Sequence, residues 1–213
     1  MQHLLIIGAS GGIGIETVRL ALRRGHRVRA LARKAGRIAI DDPLFEARSA
    51  DATDPAAVRG ALDGVDAVIQ AVGVAPSLGR MVTPIDLFSK TTAILVPEMV
   101  RAGVRRLVAV TGFGAGDSRR ALSLLERVPH RLLLGTAYDD KGRQEAIIRD
   151  STLDWLIVRP TILTNGRGRG KYRVLVDPET WRNGLIARRD VADFLLREAT
   201  EPTLVREAPV LAY

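Results

Sequence analysis

A glycine-rich turn near the start of the chain constrains its fold more than any other feature. The apolar run 3–7 ends at Gly8, and glycines recur at positions 11, 12 and 14. A short apolar run that enters such a turn is typical of a buried parallel strand, and a helix is expected after it. In that context the spacing is the fingerprint of a loop that binds the pyrophosphate of a dinucleotide.

The glycines of this loop serve different physical purposes. Gly8 permits the sharp turn, and Gly14 allows the helix to pack closely on the sheet. Gly11 or Gly12 lets the backbone approach the pyrophosphate, while amides and the helix dipole face its charge. A tight turn without a ligand is the alternative. We expect the following loop residues to bind a cofactor: Gly8, Ala9, Ser10, Gly11, Gly12 and Ile13.

Strand-like and helix-like segments alternate along the rest of the chain. Short apolar runs predict strands at 3–7, 27–32, 45–50, 67–72, 106–111 and 153–158. Helices are predicted at 12–24, 87–102, 142–149 and 190–199, and a further one begins after Asp54. Asp54 and Asp190 are the expected N-caps. Gly25 and Gly103 are expected to end the helices before them.

This alternation predicts a doubly wound α/β fold, with a parallel sheet covered by helices on both faces. At 213 residues, 46% of them hydrophobic, the chain can bury a full core, so we expect a single Rossmann-fold NAD(P)-binding domain over residues 1–213. Ligands bind such sheets at the carboxyl ends of the strands, near the point where the strand order reverses. Small insertions around 117–136 and 164–181 are expected on the substrate side.

Composition excludes several kinds of site. The chain has no cysteine, which excludes disulfides, thiolate metal sites and a thiol nucleophile. Its histidines are few and far apart, so no metal site is expected. No apolar run reaches the roughly 18 residues that a membrane helix needs, and the residues before Gly8 lack the regions of a signal peptide. We therefore expect a cytoplasmic protein without a membrane partner.

The net charge of +8 raises the question of nucleic-acid binding. The basic residues are mostly arginines spread along the chain, and aromatic residues that would stack on bases are scarce. The one dense cluster consists of Arg167, Arg169, Lys171 and Arg173. It suits a solvated loop, an anion-binding substrate loop or, least well, nucleic acid. We expect a small-molecule substrate, with an anionic one as a candidate, no nucleic acid, and a monomer or homodimer.

The end of the second predicted strand indicates which dinucleotide binds. A site specific for NAD would carry a carboxylate there, but this sequence has Arg33 followed by Lys34. A guanidinium can make a bidentate contact with a 2′-phosphate and stack on adenine. Charged hydrogen bonds contribute roughly 1.5 to 3 kcal/mol, so we expect NADP(H) to be preferred over NAD(H) by roughly tenfold to a hundredfold. An ordinary exposed arginine is the alternative.

Two further strand ends are candidates for adenosine contacts. Asp51 and Ala52 follow the third strand and could meet the adenine edge, although Asp51 could instead cap a turn. Residues 71–74 (Ala71, Val72, Gly73 and Val74) follow the fourth strand and could pass beneath the adenosine ribose.

The segments 8–14, 111–118, 141–145 and 153–160 together resemble the atypical short-chain dehydrogenase/reductases. The resemblance covers nearly the whole chain and is strongest to the NAD(P)H-binding group around biliverdin reductase B, a flavin reductase, and to the NmrA-like proteins. It implies that NADP(H) is held by Gly8, Ser10, Gly11, Gly12, Ile13, Arg33, Asp51, Ala52, Gly73, Thr111, Lys141, Pro160, Thr161 and Ile162.

The chain departs from the Tyr-x-x-x-Lys pair that typical short-chain dehydrogenases use. In that pair the lysine lowers the tyrosine pKa, so that the phenol can pass a proton to a carbonyl. Here the residue four positions before Lys141 is Ala137, and Tyr138 lies three positions before Lys141. One residue on a helix rotates a side chain by about 100°, so Tyr138 is not required to face the site. Thr111 occupies the place of the family's serine, although Thr111 could simply close the strand and Lys141 could pair on a helix surface.

The leading hypothesis is an NADPH-dependent oxidoreductase that transfers hydride to a conjugated acceptor such as a flavin, quinone or linear tetrapyrrole. Such acceptors need little help from a protein acid, so the protein supplies orientation and a water-poor pocket. Lys141 would hold the nicotinamide ribose, Thr111 would orient the acceptor, and solvent or Tyr138 would deliver the proton. Two alternatives stay open: an NmrA-like redox-sensing regulator without turnover, and an epimerase or carbonyl reductase that uses Tyr138.

Overall fold

The computed structural model describes residues 1–73 and 86–213, with the backbone alone for residues 127–134. The strands are β1 (His3–Ile7), β2 (Arg27–Ala32), β3 (Phe45–Ser49), β4 (Ala67–Gln70), β5 (Arg106–Val110), β6 (Asp154–Pro160), β7 (Ile162–Thr164), β8 (Arg173–Leu175), β9 (Leu185–Ala187) and β10 (Val210–Ala212). Eight of them form one sheet in the order β3-β2-β1-β4-β5-β6-β10-β8, and β7 pairs with β9 separately. Within the large sheet, β8 alone runs antiparallel to its neighbour, β10.

Helices cover both faces of this sheet. They are α1 (Gly12–Arg23), α2 (Pro55–Ala61), α3 (Leu87–Ala102), α4 (Leu124–Arg149) and α5 (Arg188–Thr200). Alternate residues of β1 point to opposite faces: Leu4 and Ile6 pack with α1 and α5, whereas Leu5 and Ile7 pack with α2, α3 and α4. The predicted doubly wound α/β fold with a parallel sheet is confirmed, and the structure adds one antiparallel pair, β8 with β10, at the edge of this sheet.

The connections of β1 create the crevice in which a ligand can bind. β1 lies between β2 and β4 and runs parallel to both. The chain leaves β1 toward β2 on one side and returns at β4 on the other, so the strand order reverses between β1 and β4. A crevice is therefore expected at the carboxyl edge of the sheet, between the ends of β1 and β4.

Most predicted helix ends agree with the structure. The Asp54 carboxylate accepts a hydrogen bond of 2.9 Å from the Ala56 amide, as expected of an N-cap. Gly25 and Gly103 have φ of 75° and 71°, in the left-handed region that ends a helix.

The predicted start of α4 is wrong. Instead of spanning 142–149, the helix begins at Leu124, after a short 3-10 helix at Gly116–Ala121. The reason is a capping box, in which the Ser123 amide and hydroxyl donate hydrogen bonds of 2.9 and 2.7 Å to the Glu126 carboxylate. Much of the segment 117–136, expected to be an insertion, is therefore helical.

Asp190 does not cap α5, which begins two residues earlier, at Arg188, with Ala187 as its N-cap. The buried Asp190 carboxylate instead accepts hydrogen bonds from the Arg169 and Gly170 amides, at 2.8 and 3.0 Å, and from the Tyr213 hydroxyl at 2.6 Å. It thus fastens two segments to α5: the basic loop, residues 165–172 between β7 and β8, and Tyr213. The Arg169 guanidinium in turn lies 4.1 Å from the centre of the Tyr213 ring.

Across the described ranges, no helix is both long enough and apolar enough to cross a membrane.

Candidate functional site

A cleft of about 690 Å³ opens at the carboxyl edge of the sheet, where the strand order reverses. The ends of β1, β2, β4 and β5 form its floor, and residues of α3, α4 and α5 complete its walls. Crevices at this position are where doubly wound sheets bind their ligands. The cleft is therefore the candidate functional site.

The loop between β1 and α1 packs too closely for side chains at two glycines. An ideal Cβ at Gly8 would lie 2.5 Å from the Ala71 carbonyl oxygen, and one at Gly14 would lie 2.3 Å from the Gly8 carbonyl oxygen. Both distances are far inside van der Waals contact. These glycines bring the first turn of α1 directly against the ends of β1 and β4.

For two other glycines of the cleft, the described residues give no such reason. An ideal Cβ at Gly11 or Gly73 would meet no atom of the described residues within 4 Å, and the φ of Gly11, −173°, is one that any residue adopts. Among the described residues, no side chain caps the amides at the start of α1. Open main chain and uncapped amides at a helix N-terminus suit a phosphate group, so the loop fits the pyrophosphate of a dinucleotide.

Basic side chains follow β2 at the rim of the cleft. Arg33 and Lys34 are exposed and line it, as does Asp51 after β3. The Asp51 carboxylate accepts hydrogen bonds of 2.9 and 2.8 Å from the Thr53 amide and hydroxyl. These bonds lower the pKa of Asp51, and the charges of Arg33 and Lys90 lower it further. Asp51 thus caps a turn and lines the cleft at the same time.

Tyr138 and Lys141 of α4 both line the cleft. Residues three apart are neighbours on a helix surface, and the Lys141 ammonium lies 5.6 Å from the centre of the Tyr138 ring. An ideal Cβ at Gly112 would lie 2.6 Å from the Tyr138 hydroxyl oxygen, so the glycine lets this ring lie against the chain just after β5. The shortened spacing therefore still brings both side chains to one site.

The environment changes the protonation of both groups. Burial raises the pKa of the Tyr138 phenol, which keeps its proton at neutral pH. Burial lowers the pKa of Lys141 to about 8, against the opposing effect of the Glu145 and Asp140 carboxylates. The Lys141 ammonium donates a hydrogen bond to the Thr111 carbonyl oxygen. A weakly acidic phenol and a lysine that titrates near neutrality thus face the same cleft.

Asp140 fastens this part of α4 to the start of α3. Its fully buried carboxylate accepts hydrogen bonds of 2.8 and 3.3 Å from the Phe88 and Ser89 amides. These bonds satisfy amides that a helix N-terminus leaves without partners. The Phe88 ring is thereby held beside Lys141, with 4.9 Å between its centre and the ammonium nitrogen.

Thr111 is tied to a buried carboxylate behind the cleft. Its hydroxyl donates a hydrogen bond of 2.7 Å to Glu145, which also pairs with the fully buried Arg159. An ideal Cβ at Gly116 would lie 2.3 Å from the Glu145 carboxylate, so a glycine makes room for this pair. Because the Thr111 hydroxyl donates its one hydrogen bond to Glu145, it can only accept a hydrogen bond from a ligand.

The structure gathers most of the residues that the sequence singled out. The cleft is lined by these predicted residues: Gly8, Ser10, Gly11, Gly12, Ile13, Arg33, Asp51, Ala52, Ala71, Val72, Gly73, Thr111, Tyr138 and Lys141. Val74 lies outside the described residues.

Four predicted residues do not line the cleft. Ala9 is fully buried, and the Thr161 hydroxyl is buried and donates to the Leu211 carbonyl oxygen at 3.1 Å. Pro160 ends β6, and Ile162 is 56% exposed at the start of β7. Leu163, one residue further on, does line the cleft.

Sequence reasoning missed Arg188 and the pair Glu145 and Arg159. Arg188 lines the cleft next to the glycine loop. A signal for Arg159 was available, because an arginine that follows an apolar strand must find a carboxylate when the strand is buried. No signal in the sequence pairs it with Glu145, since α4 was predicted too short to establish which of its faces is buried.

Comparisons with known proteins place this arrangement in a family. The sequence pattern of the family described as NAD(P)H-binding matches residues 8–202. Among curated proteins, the reductase pytE of Aspergillus terreus is 24% identical over 257 aligned positions, which cover 99% of this chain and 97% of that protein. Sterol demethylase protein B of Methylococcus capsulatus is 37% identical over 113 residues, or 52% of this chain and 34% of that protein. The chain thus matches only about a third of the length of that relative.

A solved structure matches over nearly its whole length. ChuY, an anaerobilin reductase from Escherichia coli O157:H7, is 27% identical to this chain and superposes with a TM-score of 0.82. The match covers 99% of this chain and 96% of the ChuY chain. With the glycine loop at the switch point and a sequence match over residues 8–202, this chain belongs to the NAD(P)H-binding family.

Proposed function

We propose that the protein is an NADPH-dependent reductase that transfers hydride to a conjugated acceptor such as a flavin, a quinone or a linear tetrapyrrole. The observation that carries the proposal is the cleft, whose glycine loop leaves open main chain at Gly11 and whose rim holds Arg33. Two relatives support it, since ChuY is named an anaerobilin reductase and pytE a reductase.

The residues of the cleft suit the parts of NADPH. The amides at the start of α1 would bind the pyrophosphate, and Arg33 would pair with the 2′-phosphate. Lys141 would donate to the hydroxyls of the nicotinamide ribose. NADPH, when bound, supplies the hydride. The Arg33 contact is the basis for proposing that NADP(H) is preferred over NAD(H).

The chemistry of the acceptor follows from the groups that face it. The overall change is NADPH plus a proton plus the oxidised acceptor, giving NADP⁺ and the reduced acceptor. A conjugated acceptor spreads the incoming charge over its π system, so it requires less protonation by the protein than an isolated carbonyl does. Leu163 and the Tyr138 ring line the cleft and offer apolar surface to such a planar molecule, and the proton would come from solvent or Tyr138.

Binding and turnover measured together test the proposal. Titration calorimetry with NADPH and NADH should show binding of both, with the dissociation constant for NADPH about 10- to 100-fold lower, as one charged contact predicts. Steady-state oxidation of NADPH should then exceed background with at least one of FMN, a quinone and biliverdin. Failure to bind either nucleotide at millimolar concentration would overturn the proposal. Tight binding without turnover would favour a redox-sensing regulator instead.

A second candidate is a carbonyl reductase that uses Tyr138 as its acid. It is favoured by one observation: the Tyr138 phenol lies in the cleft beside Lys141, whose ammonium is 5.6 Å from the centre of the Tyr138 ring. In this case the phenol would protonate the carbonyl oxygen as hydride reaches the carbonyl carbon. Turnover of carbonyl substrates that depends on the Tyr138 hydroxyl would separate this candidate from the first.

A further inference from the structure

Arg188 is a cation of the cleft that the glycine fingerprint does not include. It is the first residue of α5 and lines the cleft. An ideal Cβ at Gly12 would lie 3.9 Å from its Nε atom. The guanidinium therefore lies beside the same loop whose amides are offered to a phosphate, and it approaches from α5 rather than from α1.

The orientation of Arg188 is set by the loop after β7. One of its terminal nitrogens donates a hydrogen bond of 2.6 Å to the Asn165 side-chain oxygen. Asn165 begins the basic loop whose Arg169 and Gly170 amides are fastened to Asp190. The amide oxygen accepts from one of the five donors of the guanidinium. Among the described residues the other donors have no partner, so they can bind an anion.

Arg188 lies in the first turn of α5 without an ion-pair partner among the described residues. The N-terminal end of a helix carries partial positive charge, which disfavours a cation in the first turn. None of the carboxylates in the described part of the chain forms an ion pair with Arg188, whereas its neighbour Arg189 lies 3.3 Å from Glu16. Arg188 is half-buried, and its one hydrogen-bond partner among the described residues is the neutral Asn165 side chain. It lies beside the uncapped amides of the loop and is therefore placed to bind a negative group together with them.

We propose that Arg188 binds the pyrophosphate of the dinucleotide from the side opposite the α1 amides. The inference rests on the proposed function, because it requires a nucleotide in the cleft. A diphosphate has oxygens on both sides of its bridge, so the amides and the guanidinium bind it together. Arg33 recognises the 2′-phosphate and discriminates between nucleotides, whereas Arg188 recognises what NADPH and NADH share.

The test compares Arg188→Gln with Arg189→Gln, which removes the same charge one residue away and outside the cleft. Calorimetric titration should show dissociation constants for NADPH and NADH that are both about 10- to 100-fold higher in Arg188→Gln, the range for one lost charged contact. In Arg189→Gln they should change less than about threefold, as for an exposed ion pair. The dissociation constant of 2′-AMP, which lacks the diphosphate, should be the same in both variants as in the wild type.

The Arg188→Lys variant keeps the charge and guards against misfolding of the glutamine variant. It should bind both nucleotides more weakly than the wild type, because an ammonium lacks the planar fork that reaches a phosphate and Asn165 together. Unchanged dissociation constants in Arg188→Lys and Arg188→Gln would overturn the inference while leaving the proposed function intact. Weakening of NADPH but not NADH would also overturn it. A wild-type protein that binds neither nucleotide would overturn both.

Discussion

The Arg159 guanidinium forms two hydrogen bonds with the Glu145 carboxylate, at 3.0 and 2.5 Å, where neither residue is more than 2% exposed. The pair links β6 to α4, and Glu145 also accepts a hydrogen bond from the Thr111 hydroxyl. Asp117 accepts a further bond from Arg159, and the Trp181 ring centre lies 4.9 Å from the guanidinium. The pair therefore fixes the end of β5, where Thr111 meets the cleft, relative to the helix that carries Lys141.

Removal of one charge from this pair should destabilise the protein strongly. Glu145→Gln leaves the Arg159 charge buried with reduced compensation, which typically costs about 3 to 5 kcal/mol of unfolding free energy. Urea denaturation followed by tryptophan fluorescence measures the change. Arg105→Gln is the matched control, because it breaks the exposed pair with Asp154 and should cost no more than about 1 kcal/mol. Similar losses in the two variants would contradict the role given to the buried pair.

The local signals of the sequence were sufficient for the nucleotide-binding half of the fold. The apolar run of β1, the glycine turn and the N-cap Asp54 each act within a few residues, and the structure places them as predicted. The position of the cleft also followed, because alternating strands and helices set where the strand order reverses.

The other half depended on contacts that are distant in sequence. Asp190 accepts bonds from residues about 20 positions away on either side, so its resemblance to an N-cap was misleading. The strands after β6 are only three residues long, too short for a periodic pattern. The capping box of Ser123 and Glu126, by contrast, is a local signal that marks the start of α4.

Two glycines of the same loop should respond differently to alanine. Gly14→Ala should lower the unfolding free energy by about 1 to 3 kcal/mol or more, because its Cβ would overlap main chain, at 2.3 Å from the Gly8 carbonyl oxygen. Gly11→Ala should cost no more than about 1 kcal/mol but should weaken NADPH binding, because its Cβ would enter the cleft. Denaturation and calorimetry on both variants measure the two effects. Unweakened binding in a folded Gly11→Ala protein would contradict the proposed position of the pyrophosphate.

Arg33 should determine the preference between the two nucleotides. Arg33→Gln removes the proposed partner of the 2′-phosphate, so the dissociation constant for NADPH should rise about 10- to 100-fold and that for NADH should stay within about threefold. Arg37→Gln is a suitable control, because Arg37 is an equally charged, exposed neighbour that does not line the cleft. Equal weakening of both nucleotides in Arg33→Gln would show that Arg33 does not recognise the 2′-phosphate.

Tyr138→Phe tests whether Tyr138 is the proton donor, which the carbonyl reductase requires and the reduction of a conjugated acceptor does not. If the acceptor is conjugated and solvent supplies the proton, the turnover number should fall less than about tenfold, since general acid catalysis typically contributes 100-fold or more. The phenylalanine ring preserves the packing against Gly112 and Lys141. A loss of about 100-fold or more, with NADPH binding unchanged, would favour the carbonyl reductase with Tyr138 as its acid.

The pH dependence of turnover should report Lys141. Its pKa of about 8 means that the ammonium is charged below pH 8 and neutral above it. If Lys141 holds the nicotinamide ribose as a charged donor, the binding of NADPH should weaken as the pH rises. The ratio kcat/KM for NADPH, which reports groups of the free enzyme, should therefore be level from pH 6 to 7.5 and decline above about pH 8 with a single deprotonation. In Lys141→Arg the charge persists because the guanidinium pKa exceeds about 12, so the decline should disappear from this range even if the overall rate is lower. A decline at the same pH in Lys141→Arg would assign it to another group.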